Sequence, residues 1–250
     1  MIIEKNKLFF VINKATIWFP DEKYNYKKNF SVIFIRQHNL NIDKKLLIFN
    51  QQFKTSLINI NQDINLIFDN FSSTTRYDIR QAIKSNIKIE YFNNSHTHEL
   101  NYFLNNVNSF YKNKKIINNL NKKYFNNNNN IFLVKASDNK FWHTYAMYIY
   151  DNNRFRLLIL INNYSKITKK LLGYSSKLLI WRSIENSKKL GCNIFDLGGL
   201  DNLNNSKLKG INKFKLSFGG SNCYEYNTLV VNNNLLRFFY KIYYFFKNLI

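Results

Sequence analysis

Three apolar segments follow one another between residues 131 and 161, and they constrain the fold more than any other part of the chain. They read IFLVKA, FWHTYAMYIY and FRLLILI, and the connections SDNK and DNNR between them have the composition of hairpin turns. Connections this short join strands that run antiparallel. The sequence therefore predicts an antiparallel three-stranded meander in the middle of the chain.

The segments around this meander predict further strands and helices. Before it we expect a strand over 87–92, helices over 97–111 and 115–125, and an asparagine loop over 126–130. After it we expect a helix over 175–190 capped by Ser175 or Ser176, a strand at 193–197, a helix near 205–216, a strand near 222–231 and a final helix. From residue 87 onward the predicted order is β-α-α-β-β-β-α-β-α-β.

The first seventy or so residues contain short strand-like segments, which read KLFFVI, ATIWF, SVIFIR and KLLIF. They lead into a predicted helix at TTRYDIRQAIKSN, which Thr74 or Thr75 caps and whose apolar face carries Ile79 and Ile83. We expect a partial α/β unit over 1–72, a main domain over 73–233 and an amphipathic helix over 234–250.

The chain is strongly basic: 37 Lys and Arg against 15 Asp and Glu give its 250 residues a formal charge of +22. Such a surface attracts nucleic acid, anionic lipid headgroups or phosphorylated substrates. The abundance of Asn, Lys, Ile, Phe and Tyr is equally what an AT-rich genome would encode, so the partner stays open at this point.

Neither cysteine, Cys192 or Cys223, has the spacing of a metal ligand or a CxxC motif. The N-terminus lacks the apolar core of a signal peptide, and no stretch reaches the ~18 apolar residues of a membrane span. We therefore expect a reduced, cytoplasmic protein without a metal site.

Five of the seven glycines fall within residues 194–220, which read IFDLGGLDNLNNSKLKGINKFKLSFGG. In a chain so poor in glycine, this placement indicates special backbone geometry, which we expect at Gly198, Gly199, Gly219 and Gly220. Asp196 stands at the carboxyl end of the apolar run, where open α/β sheets commonly face a ligand, although it could instead cap the glycine turn. This segment is the best candidate for an active site.

The predicted order of elements resembles the GNAT acyltransferase superfamily. DLGG, GINKFKLSFGG, RYDIRQA at 76–82 and WHTYAMYIYD at 142–151 resemble its Fem-type branch, which includes peptidoglycan bridge aminoacyltransferases and BioF-type acyltransferases. The resemblance spans about residues 70–220. It implies a mixed α/β fold with a mostly antiparallel, centrally splayed sheet flanked by helices, preceded by a partial N-terminal GNAT-like unit.

The resemblance also implies a donor site. GNAT proteins bind the pyrophosphate of acyl-CoA at a Q/R-x-x-G-x-G/A pattern, and the stretch here, KLLGYS at 170–175, is a degenerate match to it. An ordinary solvated loop before a capped helix is the alternative. The donor is then acyl-CoA or aminoacyl-tRNA, with no permanently bound cofactor, and the expected donor-binding residues are Tyr164, Ser165, Lys170, Gly173, Tyr174, Ser175 and Ser176.

The implied reaction is N-acyl transfer to a nucleotide- or lipid-linked amino sugar or a peptidoglycan-type precursor, in cell-surface glycan biosynthesis. Such a reaction needs a group that takes the amine proton and a cation that stabilises negative charge. We expect Asp196 or His143 to handle the proton and Lys215 to supply the charge or bind phosphate, whereas a structural histidine and a solvated lysine are the alternatives. Strand alternation places His143 on the face of Tyr145 and Met147.

Arg76 and Arg80 lie four residues apart on one predicted helical face, where they could grip phosphate or simply face solvent.

The C-terminal segment LLRFFYKIYYFFKNLI carries a polar stripe at Arg237, Lys241, Tyr244 and Asn248 on an otherwise apolar helix. It is too short to span a bilayer, but it could lie in a membrane interface, or dock on its own domain or on a second subunit. The rival to the enzyme is therefore a non-catalytic RNA-binding or membrane-surface protein that uses the positive charge.

Overall fold

The computed structural model describes residues 1–8, 12–20, 25, 30–93, 95–113, 130–200 and 206–247. The predicted helix 115–125 and nearly all of the asparagine loop lie outside these residues. The contacts divide the chain into two compact units, Met1–Thr55 with Asn222–Ile250, and Ser56–Ser221. This grouping differs from the boundaries expected after residues 72 and 233, because residues 56–72 pack into the core of the second unit and the last strand pairs within the first.

Ten strands form in the described residues: β1 (Ile2–Leu8), β2 (Ile12–Trp18), β3 (Val32–His38), β4 (Leu47–Asn59), β5 (Lys88–Phe92), β6 (Ile131–Ser137), β7 (Trp142–Tyr150), β8 (Arg154–Asn162), β9 (Ile194–Leu200) and β10 (Ser221–Val231). The helices there are α1 (Ile64–Asp69), α2 (Ser73–Lys84), α3 (Thr97–Asn113), α4 (Lys169–Lys189), α5 (Ser206–Leu216) and α6 (Asn234–Lys247), with a short 3-10 turn at Lys44–Leu46. Both β4 and β10 run from one unit into the other.

The first unit is built on β1, β2, β3 and β10. β1 pairs antiparallel with β2, β2 pairs parallel with β3, and β3 pairs antiparallel with β10. The alternating side chains of β2 and β3 place Ala15, Ile17, Ile33 and Ile35 in a core with Val230 of β10.

The second unit contains the predicted meander: β6, β7 and β8 pair antiparallel, β5 pairs antiparallel with β6, and β9 pairs parallel with β8. Helices cover both faces of this sheet. α2 and α4 pack on one face, where Ile79 and Leu179 lie in a core with Phe155 and Phe195. α3 packs on the other face through Phe103 and neighbouring side chains. The mixed α/β fold with a mostly antiparallel sheet flanked by helices is confirmed.

Several element boundaries differ from the prediction. α4 begins six residues before Ser175, with Thr168 as its N-cap, because the Ser175 and Ser176 hydroxyls turn inward to other partners. α2 is capped by Ser72, whose hydroxyl accepts from the Thr75 N–H, and Ile83 is half exposed whereas Ile79 is buried. α1 lies where only strands were expected, because Asp63 caps that short helix.

None of the helices in the described ranges is both long enough and apolar enough to cross a membrane.

Candidate functional site

The parallel ladder between β8 and β9 ends early. It joins Arg154 to Ile194, Phe155 to Phe195 and Arg156 to Asp196, while β8 continues to residue 162 and β9 to residue 200, all within a stretch that the structure describes throughout. Beyond Arg156 and Asp196 the two strands therefore no longer pair in this parallel register.

A bulge lies directly beyond the end of the ladder. On β8, Leu157 is opposite Tyr148 and Ile159 is opposite Met147, so Leu158 is the extra residue in the antiparallel register with β7. Bulges redirect backbone groups and are frequent next to active sites. The backbone of Leu158 therefore lies outside both the parallel β8–β9 pairing and the regular antiparallel β7–β8 pairing.

Gly198 faces this point from β9. Its φ is +82°, and a Cβ built there would lie 3.1 Å from the Leu157 carbonyl oxygen and 3.6 Å from Lys215 Nζ. A side chain at residue 198 would therefore be strained and would fill the space next to Lys215.

Asp196 is fully buried, and both of its carboxylate oxygens have partners. Oδ2 accepts from Arg154 Nε at 3.0 Å, from Arg154 Nη2 at 2.5 Å and from Arg156 Nη1 at 2.5 Å, while Oδ1 accepts from the Gly198 N–H at 2.7 Å. The carboxylate thus caps the glycine turn, which was the alternative to a ligand-facing role, and it also belongs to a charged cluster that the sequence did not predict. Two guanidinium groups around it favour the ionised carboxylate.

Lys215 comes to the same place from α5. Its Nζ donates to the Gly199 carbonyl oxygen at 2.5 Å. Together with Arg154 and Arg156 it brings three cationic side chains to one partly buried place beside Gly198. Cations in such a setting stabilise an anion more strongly than the same groups would in water.

His143 lies on the opposite face from the one expected. β7 bulges at this residue: Thr144 is opposite Ala136 and Trp142 is opposite Ser137, which leaves His143 as the extra residue. The bulge turns His143 toward α4, while Trp142 and Tyr145 contact each other on the α3 face, with ring centroids 5.1 Å apart. The expected face was wrong because a bulge breaks the strict alternation of a strand.

The His143 ring lies between a hydroxyl and a carboxylate. Nδ1 is 2.8 Å from Ser175 Oγ, and Nε2 is 3.1 Å from Asp138 Oδ2. Ser175 is buried and its hydroxyl donates to the Leu171 carbonyl, so it is not a nucleophile open to substrate. The pKa of Asp138 is lowered, first by the backbone N–H of Phe141. The arrangement therefore anchors the β6–β7 turn to α4.

The two residues that we expected as alternative proton acceptors do not meet. Asp196 pairs with Arg156, whereas the His143 carbonyl accepts from the Asn163 N–H at 2.9 Å. Arg156 and Asn163 are seven residues apart along β8, about 20 Å in strand geometry. Asp196 and Lys215 therefore form one site, and His143 belongs to another.

That second location is a cleft at the end of β8, which encloses about 660 Å³. It is lined by the β6–β7 turn, by the α3 side chains of His98, Glu99 and Tyr102, and by Ser165 and Lys166 before α4. Asp138 lines the wall of this cleft, and His143 contacts Asp138.

A charged network forms the floor of the cleft. Lys135 Nζ lies 3.0 Å from Glu90 Oε2 and 3.3 Å from Glu99 Oε1, and the Tyr145 hydroxyl donates to Glu99. Burial and the Glu99 carboxylate raise the pKa of Tyr145 far above its ordinary value, so its hydroxyl remains a donor. These residues were not among those predicted from the sequence. One signal in the sequence could have indicated them: a lysine interrupts the apolar strand IFLVKA, and a lysine in such a strand needs a buried anion.

The predicted donor-binding residues lie around the start of α4. Tyr164 and Ser165 precede the helix, and the other residues lie in its first two turns, with Lys170 Nζ 5.9 Å from the centroid of the Tyr174 ring. Ser176 is buried, and its hydroxyl donates to Asn162 Oδ1. A Cβ at Gly173 would meet no atom within 4 Å, so the fold leaves space at this residue.

Arg76 and Arg80 lie on α2. This helix packs on the face of the sheet that carries the side chains of Phe195 and Leu197. Arg76 Nη1 donates to the carbonyls of Asp69 and Phe71 at 2.6 and 2.5 Å, and the Arg80 guanidinium lies 5.6 Å from the Phe68 ring centroid. Because Asp196 alternates with Phe195 and Leu197 on β9, the two arginines are not brought to the Asp196 cluster.

The last glycine pair, Gly219 and Gly220, allows close packing of the segment that follows α5. Gly219 has a φ of +69°, and its Cβ would lie 2.4 Å from the Asn70 carbonyl oxygen; a Cβ at Gly220 would lie 2.5 Å from Ser56 Oγ. Both glycines allow the segment after α5 to pass close to the backbone of residues 56 and 70. They hold α5, and with it Lys215, in place.

No protein-family profile matches the sequence, and no curated protein matches it. The solved structures that are similar to this chain include FemX, with 11% identity over 95% of this chain and 86% of that chain and a TM-score of 0.68. They also include the C-terminal domain (DUF2156) of a putative lysylphosphatidylglycerol synthetase from Agrobacterium fabrum, with 12% identity over 84% of this chain and 71% of that chain and a TM-score of 0.53. A further one is L-PGS from Bacillus licheniformis, with 10% identity over 83% of this chain and 70% of that chain and a TM-score of 0.51. Identities this low show a shared fold, and that fold is Fem-like, as the motifs predicted.

Proposed function

We propose that this protein transfers an activated acyl or aminoacyl group to an amine in cell-envelope biosynthesis. The observation that carries the proposal is the meeting of Lys215, Gly198 and the Leu158 bulge where the β8–β9 ladder ends. Support comes from the Fem-like fold and from the similarity to the C-terminal domain of a putative lysylphosphatidylglycerol synthetase and to L-PGS.

The chemistry that fits this location is nucleophilic acyl substitution. The acceptor nitrogen forms a bond to the acyl carbon, the bond from that carbon to the carrier breaks, and the amine proton passes to the departing carrier atom. Negative charge develops on the acyl oxygen in between. Lys215 Nζ and a backbone N–H at the β8 bulge are the groups that we assign to this oxygen, and one such donor typically contributes about 3 kcal/mol.

We assign Asp196 a positioning role. Both its oxygens are occupied by Arg154, Arg156 and the Gly198 N–H, so it holds the glycine turn and the arginines in place for Lys215. His143 of β7 lies beside Asn163, just past the far end of β8, and is too distant to take a proton at this point. Within the proposal it orders the cleft wall through Asp138.

The donor is proposed to lie along the start of α4. Lys166, Lys169 and Lys170 are exposed there, and the first turn of a helix offers free N–H groups and a positive dipole end. Acyl-CoA and aminoacyl-tRNA both present phosphate to such a surface. The acceptor is proposed to be a nucleotide- or lipid-linked amino sugar or a peptidoglycan-type precursor, met on the cytoplasmic side.

The decisive test is product formation, measured by mass spectrometry, with acetyl-CoA and aminoacyl-tRNA as separate donors and amino-sugar nucleotides as acceptors. We expect Lys215→Ala to lower kcat/KM at least ~100-fold, because it removes charge at the acyl oxygen. Lys213→Ala, an exposed lysine of the same helix, is the matched control and should keep full turnover. Equal turnover of Lys215→Ala and wild type would overturn the site assignment.

The rival hypothesis, that the protein is a non-catalytic RNA-binding protein, predicts different results. It would bind RNA with a steep salt dependence and would show no thermal shift with acyl-CoA or amino-sugar nucleotides. RNA binding combined with a shift by the acceptor would instead indicate an aminoacyl-tRNA donor.

A further inference from the structure

Helix α6 presents a row of large apolar side chains to solvent. Leu235, Phe238, Phe239 and Ile242 are 67%, 61%, 58% and 40% exposed. Their spacing is i, i+3, i+4 and i+7, which places them on one face of the helix. A contiguous exposed apolar face of this kind usually marks an interaction surface.

This row is not the face with which α6 packs on its own unit. Leu236 and Tyr240 make that contact, against Val32, Leu229 and Val231. Arg237 fixes the helix start further, since its Nε donates to the Val231 carbonyl at 2.9 Å. The helix is therefore docked through one face and leaves a second apolar face outward.

The charges on α6 indicate what covers that outward face. Its sequence, NLLRFFYKIYYFFK, contains three cations and no acidic residue, in a chain with a formal charge of +22. Lys241 is exposed, and in helical geometry Arg237 and Lys241 lie along one border of the apolar row. An apolar row bordered by cations complements a surface that is anionic outside and apolar beneath.

We propose that α6 docks this protein on an anionic lipid surface, lying parallel to it with Leu235, Phe238, Phe239 and Ile242 inserted. The helix has 14 residues, a length of about 21 Å, so it lies in the interface and does not cross the bilayer. Aromatic side chains suit the headgroup boundary, and lysine and arginine add attraction to anionic lipids. The proposal does not depend on the proposed acyl transfer.

Vesicle co-sedimentation tests the proposal with the full chain. The probes are phosphatidylcholine vesicles with and without ~30% phosphatidylglycerol. We expect wild type to bind the anionic vesicles, and Phe238→Gln/Phe239→Gln to bind them at least ~10-fold more weakly, because it removes two inserted rings. Tyr77→Gln, which removes an exposed aromatic ring from α2, is the matched control and should bind as wild type does.

Circular dichroism and thermal melting check that the double variant keeps the wild-type fold, since the replaced rings are exposed. The proposal is overturned if wild type does not bind the anionic vesicles. It is also overturned if the double variant binds them as tightly as wild type, which would assign binding to the general positive charge. Dimerisation of wild type that the double variant abolishes, without vesicle binding, would assign the face to a second copy of the chain.

Discussion

Arg154 holds the Asp196 carboxylate with two nitrogen atoms: Nε and Nη2 donate to the same oxygen, Oδ2, at 3.0 and 2.5 Å. Arg154 and Asp196 are both buried. Arg156, two residues further along β8, forms a second ion pair with the same carboxylate. Removing one partner of such a pair leaves uncompensated buried charge.

We therefore expect Asp196→Asn to lower the free energy of unfolding by about 3 kcal/mol or more, as removal of one partner of a buried pair typically does. Urea unfolding followed by tryptophan fluorescence measures it. Asp69→Asn changes an exposed carboxylate and should stay within about 0.5 kcal/mol of wild type. Equal urea midpoints for the Asp196 variant and wild type would show that the guanidinium groups find other partners.

Gly210, within α5, and Gly219, in the turn that follows α5, should respond differently to alanine. Gly219→Ala should destabilise the protein by more than about 2 kcal/mol, because its φ is +69° and the new Cβ would meet the Asn70 carbonyl oxygen. Gly210→Ala lies within a helix with no atom within 4 Å of the new Cβ, so it should be neutral or stabilise by up to about 1 kcal/mol. Thermal melting of both variants checks the contrast, and a similar loss in both would contradict it.

Cys192 and Cys223 should react at very different rates with a thiol reagent. Burial raises the pKa of Cys192 to about 11, and its thiol donates to the Asp151 carbonyl. At pH 8 the native protein should therefore show one fast thiol, Cys223, which is only partly buried. Cys223→Ser should abolish the fast phase until urea is added. A fast phase that survives this substitution would place Cys192 in contact with solvent.

The meander was predictable because hairpin connections and alternating apolar strands are local signals. β6, β7 and β8 begin and end within one or two residues of the segments read from the sequence. Bulges are not local in this sense. Nothing in the order of WHTY distinguishes a regular strand from one in which His143 is an extra residue, because the bulge depends on the register with β6.

The Asp196 cluster shows the same limit in the candidate site. Asp196, Lys215 and Gly198 could be singled out from composition and resemblance, but their partners could not. Arg154 and Arg156 meet Asp196 through the parallel pairing of β8 and β9, which are separated in sequence by all of α4. The available hint was the pattern of FRLLILI, since arginines that flank Phe155 in so apolar a strand need a buried anion.

The fold also contains a buried histidine that should limit stability in acid. His38 Nδ1 accepts from the Leu40 N–H at 3.0 Å, so the neutral ring carries its proton on Nε2, which faces Thr228 Oγ1 at 2.8 Å. Burial lowers the pKa of His38 to about 4. A second proton would have to go to Nδ1 and would break the bond to Leu40.

The direction of the pH dependence follows from that pKa. Because the folded-state pKa lies below the unfolded value of about 6.5, the unfolded chain binds a proton first as the pH falls. The contribution of His38 is constant above about pH 6.5 and is lost progressively down to about pH 4, by about 2 kcal/mol after allowance for partial solvation.

Urea unfolding between pH 7.5 and 4 measures this loss. His38→Gln cannot titrate, so its free energy of unfolding should fall less steeply than that of wild type between pH 6.5 and 4, even if the substitution lowers stability at neutral pH. His98→Gln, at an exposed residue, should follow the wild-type curve. Parallel curves for His38→Gln and wild type would mean that the ring is protonated in the folded state without cost.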